Sequence, residues 1–317
     1  MSGPVSTKDT SDTAVPDVPT PTPTLEISDS RVAQVGHTMV RRALPRRTRR
    51  TVGAWCFADH LGPAAVTGDQ GLDIGPHPHI GLQTVTWLIE GSLLHRDSLG
   101  YEQRVSPGQL NLMTSGGGIA HAEETSGTYV GGLHGIQLWV ALPERTRHAE
   151  GGFEHHEDLP KLELDRAEVT VLTGEFAGQQ SPARADTPLV GADLALRPGR
   201  TTLPLRADCE HALVVLDGAV SVGGDRQNSS IEPGALAYLG SGRDELGLEV
   251  REPTRAMLLG GEPFESPIVM WWNFVGRSRE EISVAYKEWS AGTDRFGRVD
   301  SPLPRIDVGP PAWAVSG

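Results

Sequence analysis

The sequence predicts an all-β protein: two antiparallel β-barrels in tandem, followed by one C-terminal helix. Three observations predict it. Short runs rich in Val, Leu and Thr, such as Thr84–Ile89, Gln109–Met113, Gly135–Leu142, Ala212–Leu216 and Ala235–Leu239, alternate with Gly, Pro and Asp, the texture of many short strands. Two segments about 125 residues apart, VTWLIEGSLLHRD…VSPGQLNLMTSG and HALVVLDGAVSVGG…IEPGALAYLGSG, follow one plan. Each has a β-rich run ending at Gly, then Pro-Gly, a second run and a glycine turn, which suggests a duplicated unit. Helical periodicity is strong near the end. Ser278 and Glu281 have capping-box spacing, Ile282, Ala285, Tyr286 and Trp289 share a face, and Gly292 stops the run.

In chain order, residues 1–29 are rich in Ser, Thr, Pro and Asp and nearly free of large apolar groups. They cannot bury enough surface to offset the entropy of ordering and are expected as a disordered tail. Residues 30–155 form the N-terminal barrel, and residues 165–292 the C-terminal barrel with its helix. The polar, charged stretch Arg145–Asp158 lies near the boundary, and 293–317 is a C-terminal tail. A balance of 28 basic to 41 acidic residues, net −13, argues against direct binding of nucleic acid or an anionic membrane. Two distant cysteines, Cys56 and Cys209, permit no disulfide framework and fit a reducing compartment. The first thirty residues hold no apolar leader, and the longest apolar stretch, Ile136–Leu142, is far too short to span a bilayer. A cytoplasmic monomer is expected.

The chemistry concentrates in GPHPHIGLQTVTWLIEG and TSGGGIAHAEE. Residues two apart on a strand point the same way, about 6.5 Å along the chain. His77 and His79 therefore project from one face, and so do His121 and Glu123. If both strands line one barrel, four metal-competent side chains converge. Pro76 and Pro78 lack N–H groups and fix φ, which places their strand at an edge or at a strand start. Gly116, Gly117 and Gly118 allow a tight turn that delivers His121 inward. Imidazole and carboxylate donors suit Fe(II), Mn, Co, Ni or Cu better than calcium or magnesium. In the second barrel HALVVLDG and PGALAYLG are apolar at inward positions beyond His211. One divalent transition metal per chain is therefore expected, in the first barrel.

Together RRALPRRTRRTVGAWCFADHLGP, HPHIGLQTVTWLIEG, DSLG…PGQLNLMTSGGGIAHAEE and GGLHGIQLWVALP closely resemble the pirin family, bicupins of the cupin superfamily. The resemblance is dense over about residues 30–160, thinner beyond, and returns in the closing WWNFVGRSREEI, which is similar to that of bacterial pirins. It implies two cupin-type barrels and, by residue-for-residue match, iron as Fe2+ held by His77, His79, His121 and Glu123. Gln83 stands where many other cupins place a glutamate ligand and where pirins commonly carry an acidic residue. This departure bears on the surroundings of the metal rather than on the metal. The resemblance also implies quercetin 2,3-dioxygenase activity, with a flavonol and O2 as substrates. Glu123 would be ligand and catalytic proton acceptor, and Gln83 would orient water or substrate. The charge count agrees: three neutral imidazoles, one carboxylate and a dication sum to +1, which a monoanionic, bidentate flavonolate neutralises in a low-dielectric barrel. The alternative is a non-enzymatic, iron-dependent, redox-sensitive regulator that binds a partner protein through the same metal site.

Other features carry blander readings. Arg41–Arg50 holds six arginines in ten residues and reads as a solvated strand and loop. Cys56 and His60 share strand parity while Asp59 opposes them, a poor nucleophilic arrangement, so Asp59 and His60 are expected in structural or supporting roles. Cys209, Glu210 and His211 lack ligand spacing. His155 and His156 diverge on a strand, and Trp271 and Trp272 are expected to pack the terminal helix against a barrel.

Overall fold

The computed structural model describes residues 24–36, 38–67, 71–125, 129–223 and 230–314. Its strands are, first, β1 (Glu26–Ser28), β2 (Arg31–Val35), β3 (Thr38–Leu44), β4 (Trp55–Val66), β5 (Ile74–His79), β6 (Leu82–Glu90), β7 (Leu93–Asp97), β8 (Glu102–Val105), β9 (Leu110–Thr114), β10 (Ile119–Glu124), β11 (Gly131–Ala141) and β12 (Gly152–His156). There follow β13 (Lys161–Leu164), β14 (Ala167–Phe176), β15 (Gln179–Gln180), β16 (Leu189–Leu196), β17 (Gly199–Pro204), β18 (Glu210–Asp217), β19 (Val220–Val222), β20 (Ser230–Ile231), β21 (Leu236–Gly240), β22 (Glu245–Val250) and β23 (Thr254–Gly261). A short hairpin, β24 (Val269–Trp271) and β25 (Phe274–Gly276), leads into helix α1 (Arg279–Ala291).

Two cupin-type barrels result, each a large sheet closed over a four-stranded one. The first has the order β12-β9-β6-β11-β4-β3-β2 over β5-β10-β7-β8. The second has β1-β21-β18-β23-β16-β14-β13 over β17-β22-β19-β20. The echo in the sequence is thus a repeat of topology, with β9-β6-β11-β4 matched by β21-β18-β23-β16. Strands buried on both faces read as continuous apolar runs, and β18 shows why. Ala212, Val214 and Leu216 enter the core between the barrels, while Leu213 and Val215 enter the core of the second barrel. The inter-barrel core also takes Val85, Trp87, Ile136 and Leu138 from the first barrel. Trp55 pins the two units: its indole N–H donates to the carbonyls of Val190 (3.0 Å) and Gly260 (3.1 Å). Gly191 is needed there, because a Cβ would stand 2.7 Å from the Trp55 ring.

The chain ends cross over. Residues 1–23 of the expected N-terminal tail lie outside the described residues. Glu26–Ser28, however, form β1, which pairs with β21 of the second barrel. Backbone pairing at the sheet edge orders these residues and corrects the expectation of disorder to residue 29. The helix forms as its caps dictate: Ser278 accepts from the Glu281 N–H (3.1 Å), and Gly292 closes the last turn at φ 65°. It was expected with the second barrel, yet its apolar face packs on the first. Ile282, Ala285 and Trp289 join Ile80, Ala120 and Ala122, the outer face of β5 and β10. The following segment continues this cover. Phe296 is buried and the Ile306 N–H donates to the Pro76 carbonyl (2.9 Å), so residues 293–314 wrap the first barrel. Among the described residues no helix is long and apolar enough to cross a membrane.

Candidate metal centre

The two words singled out in the sequence become neighbouring antiparallel strands, β5 and β10, with His121 opposite His77 and Ile119 opposite His79. β5 lies at the edge of its sheet, which tolerates the missing N–H groups of Pro76 and Pro78. The extra residue of the bulge falls on β5 between His77 and Ile74, so β10 keeps its two-residue period. His121 and Glu123 therefore stay on one face. The turn before β10 needs Gly116, at φ 50°, where a Cβ would sit 1.9 Å from the Ala149 carbonyl oxygen.

His77, His79 and His121 are buried, and one ring nitrogen of each lies within 4.8 Å of the others. Nε2 of His79 is 3.0 Å from Nε2 of His121. Two nitrogens bound at about 2.1 Å and at right angles on one ion stand about 3.0 Å apart, so the pair fits a shared metal. The remaining ring nitrogens are anchored: Nδ1 of His77 donates to the Gly75 carbonyl (2.9 Å) and Nδ1 of His79 to that of Asn273 (3.1 Å). Such outer contacts orient ligating histidines and leave Nε2 free. Burial pushes His77 down to about 4 and holds His79 and His121 well below the usual imidazole range, in the neutral form a metal requires. Glu123 lines the same cavity but stands outside the tight histidine set. Burial raises its carboxyl to about 7, with the Thr86 hydroxyl pulling the other way.

A cavity of about 440 Å3 opens from these groups. Phe57 and Trp139 stack at 4.0 Å to form one wall, and Trp272, whose backbone takes φ 52°, and Ile306 contribute from the C-terminal segment. The opposite character comes from a polar row across the large sheet. Arg42 grips Asp59 through two bonds (2.7 and 2.6 Å), Gln137 is paired to Asp59 on the next strand, and Thr86 donates to Gln137 (2.8 Å). Arg42, Asp59 and Gln137 line the cavity.

Three expectations change here. Gln83 does not reach the centre. Thr84 and Thr86 pair with Trp139 and Gln137 on the cavity side of β6, so Gln83 turns to the opposite face with Val85 and Trp87. Its amide donates to the Thr114 hydroxyl (3.0 Å) and reaches the Arg184 carbonyl (3.5 Å). The arginine run is not all solvated: Arg42 enters the cavity and Arg49 lies over the Tyr238 ring of the second barrel. Trp272 does more than pack the helix, because it walls the cavity. Missed altogether was His95 on β7, whose Nδ1 is 3.3 Å from Nδ1 of His121. Its signal was the H-x-D of LLHRD. Cys56 is buried and its thiol is pushed up to about 12 by burial, as suits a core side chain. In the second barrel the strands equivalent to β5 and β10 are β17 and β22, which present Leu203, Leu246 and Leu248 to its core.

Comparison with known proteins agrees with this architecture. A family model described as Pirin matches residues 37–140, and one described as Pirin C-terminal cupin domain matches residues 191–297. A Pseudomonas aeruginosa protein provisionally named quercetin 2,3-dioxygenase is 47% identical over 289 residues, 90% of this chain and 90% of its own. The pirin of Homo sapiens is 34% identical over 228 residues, 70% of this chain and 78% of its own. The crystal structure of a quercetin 2,3-dioxygenase from Acinetobacter baumannii, 42% identical, superposes with a TM-score of 0.85 over 90% of this chain and 95% of that one.

Proposed function

This chain belongs to the pirin family, and on that premise we propose that it is a metal-dependent dioxygenase of flavonols of the quercetin type. The observation that carries the reading is the convergence of three neutral, buried imidazoles at one end of a cavity walled by flat aromatic rings. The names of the Pseudomonas and Acinetobacter relatives support it. At about 440 Å3 the cavity has the size of small-molecule sites.

In this reading His77, His79, His121 and Glu123 hold one divalent transition metal, Fe2+ ahead of Mn, Co, Ni or Cu. When bound, such an ion supplies Lewis acidity toward a deprotonated 3-hydroxy-4-ketone and one-electron chemistry toward O2. Phe57, Trp139 and Trp272 receive the planar rings and keep water from them. Glu123, raised to about 7, takes the 3-hydroxyl proton near neutral pH. Arg42, Asp59 and Gln137 offer the ring hydroxyls donors and acceptors.

The test is turnover of quercetin in air by metal-loaded protein, with an anaerobic control. Loss of the flavonol absorbance with release of CO, dependent on both O2 and metal, is expected. No turnover by samples fully loaded with iron, nickel or copper would replace the enzyme by the iron-dependent regulator.

A further inference from the structure

We propose that Asp97, acting through His95, sets the tautomer of His121 and so aims its Nε2 lone pair into the cavity. The inference rests on the reading of His121 as a metal ligand and assigns His95 and Asp97 as positioning residues.

The three ligand histidines solve one problem in two ways. Each must carry its proton on Nδ1 so that Nε2 is bare. For His77 and His79 the Nδ1 neighbour is a backbone carbonyl, of Gly75 and Asn273, which can only accept. That fixes the proton outright. His121 has no carbonyl there. Its Nδ1 faces Nδ1 of His95 at 3.3 Å, and a contact between two ring nitrogens holds one proton that either ring could own.

Asp97 removes the ambiguity. On β7 it lies opposite His121, and His95 lies opposite Glu123, so both face the same barrel interior. Asp97 Oδ1 accepts from the Leu99 N–H (2.9 Å) and the Tyr101 N–H (3.1 Å), which fixes the carboxylate in its loop. Oδ2 is 3.1 Å from His95 Nε2. A carboxylate oxygen there demands a donor, so His95 carries its proton on Nε2 and presents a bare Nδ1. His121 must then donate from Nδ1, and its Nε2 is left for the metal. Phe153 stacks on the His95 ring at 4.4 Å and 17°, holding its plane against rotation. His95, Asp97 and His121 are all buried, where a mismatched pair of donors has no water to relieve it.

Exchanging Asp97 for Asn tests this, because the amide keeps an oxygen for the loop N–H groups and turns an NH2 toward His95. His95 then moves its proton to Nδ1, and His121 must move its own to Nε2. The Asp97→Asn protein is expected to show the altered His121 tautomer in 15N spectra of the metal-free form. It should bind Co2+ roughly 10- to 100-fold more weakly in a chelator competition, with the melting temperature of the metal-free form unchanged. Adding His95→Gln should restore both, since a glutamine can rotate its amide oxygen toward His121 whatever stands at 97. A structural role for Asp97 would not be rescued in this way. If Asp97→Asn does not fold, His95→Leu carries the test: it leaves His121 without an acceptor, mixes its tautomers and weakens Co2+ binding at least 10-fold. Wild-type tautomer and affinity in the folded variant, or no rescue by His95→Gln, overturn the proposal. Failure of the wild-type protein to bind Co2+ at all would instead remove the metal reading, while the 15N spectra still decide the relay.

Discussion

Replacing Trp289 by Ala probes the cover that the C-terminal helix gives to the metal-binding barrel. The side chain is 4% exposed and meets Phe296 edge-on at 5.6 Å, Trp272 at 6.5 Å and the Arg305 guanidinium at 3.7 Å. Its N–H donates to the Ile306 carbonyl at 3.0 Å. Truncating a buried Trp costs about 3–5 kcal/mol, which includes the cavity it leaves. The orphaned Ile306 carbonyl adds about 1 kcal/mol, and collapse of neighbours onto the gap offsets part of this. A loss of about 4 kcal/mol is expected in urea unfolding of the metal-free protein, followed by circular dichroism. Trp289→Phe, which keeps most of the packing, should lose about 1–2 kcal/mol. Because Trp272 and Ile306 wall the cavity, metal and flavonol affinity should weaken alongside. A loss below about 1 kcal/mol, or unchanged ligand affinity in the Ala variant, would refute the assignment of the helix to the first barrel's cooperative unit.

Acid should destabilise the protein in a defined window. Burial lowers His60 to about 3 and His211 to about 4, below the ordinary 6.5, so the unfolded chain binds the extra protons and stability falls as pH drops below 6.5. At pH 4 each group removes about 3 kcal/mol relative to pH 7.5, and flat stability between pH 7 and 4.5 would contradict this. Arg42→Met strands the buried Asp59 carboxylate and should cost about 3 kcal/mol at pH 7. That deficit should shrink as acid protonates Asp59, and a deficit independent of pH would show that the pair is not what holds the charge. Gln83→Met, facing the inter-barrel core, should leave metal affinity within about twofold while shifting stability by about 1 kcal/mol. A large loss of metal would return Gln83 to the centre.

The ligands were legible because the two-residue period of a strand is a local property: H-P-H and H-A-E each carry their geometry within three residues. Gln83 was not, because a turn stands between it and His79. Gly81, at φ 69°, closes β5 and opens β6, and strand parity does not carry across such a corner. His95 sat in a visible H-x-D pattern, yet its meaning depends on the register of β7 against β10, which no local signal sets. The crossed termini are of the same kind. β1 meets β21 and α1 meets β5 and β10 across some two hundred residues, and their apolar faces declare that they are buried without saying against what. The repeated topology was readable from the Pro-Gly echoes. The counterparts of the ligand strands, however, are β17 and β22 rather than the echoed segments, because each cupin-type barrel draws its ligands from its small sheet.

The most direct test is elemental analysis of purified protein beside the His121→Ala/Glu123→Ala double variant. One transition metal per chain in the parent and essentially none in the variant, with the second barrel still folded, is the predicted result. Two metals in the parent, or one retained in the variant, would contradict a single centre in the first barrel.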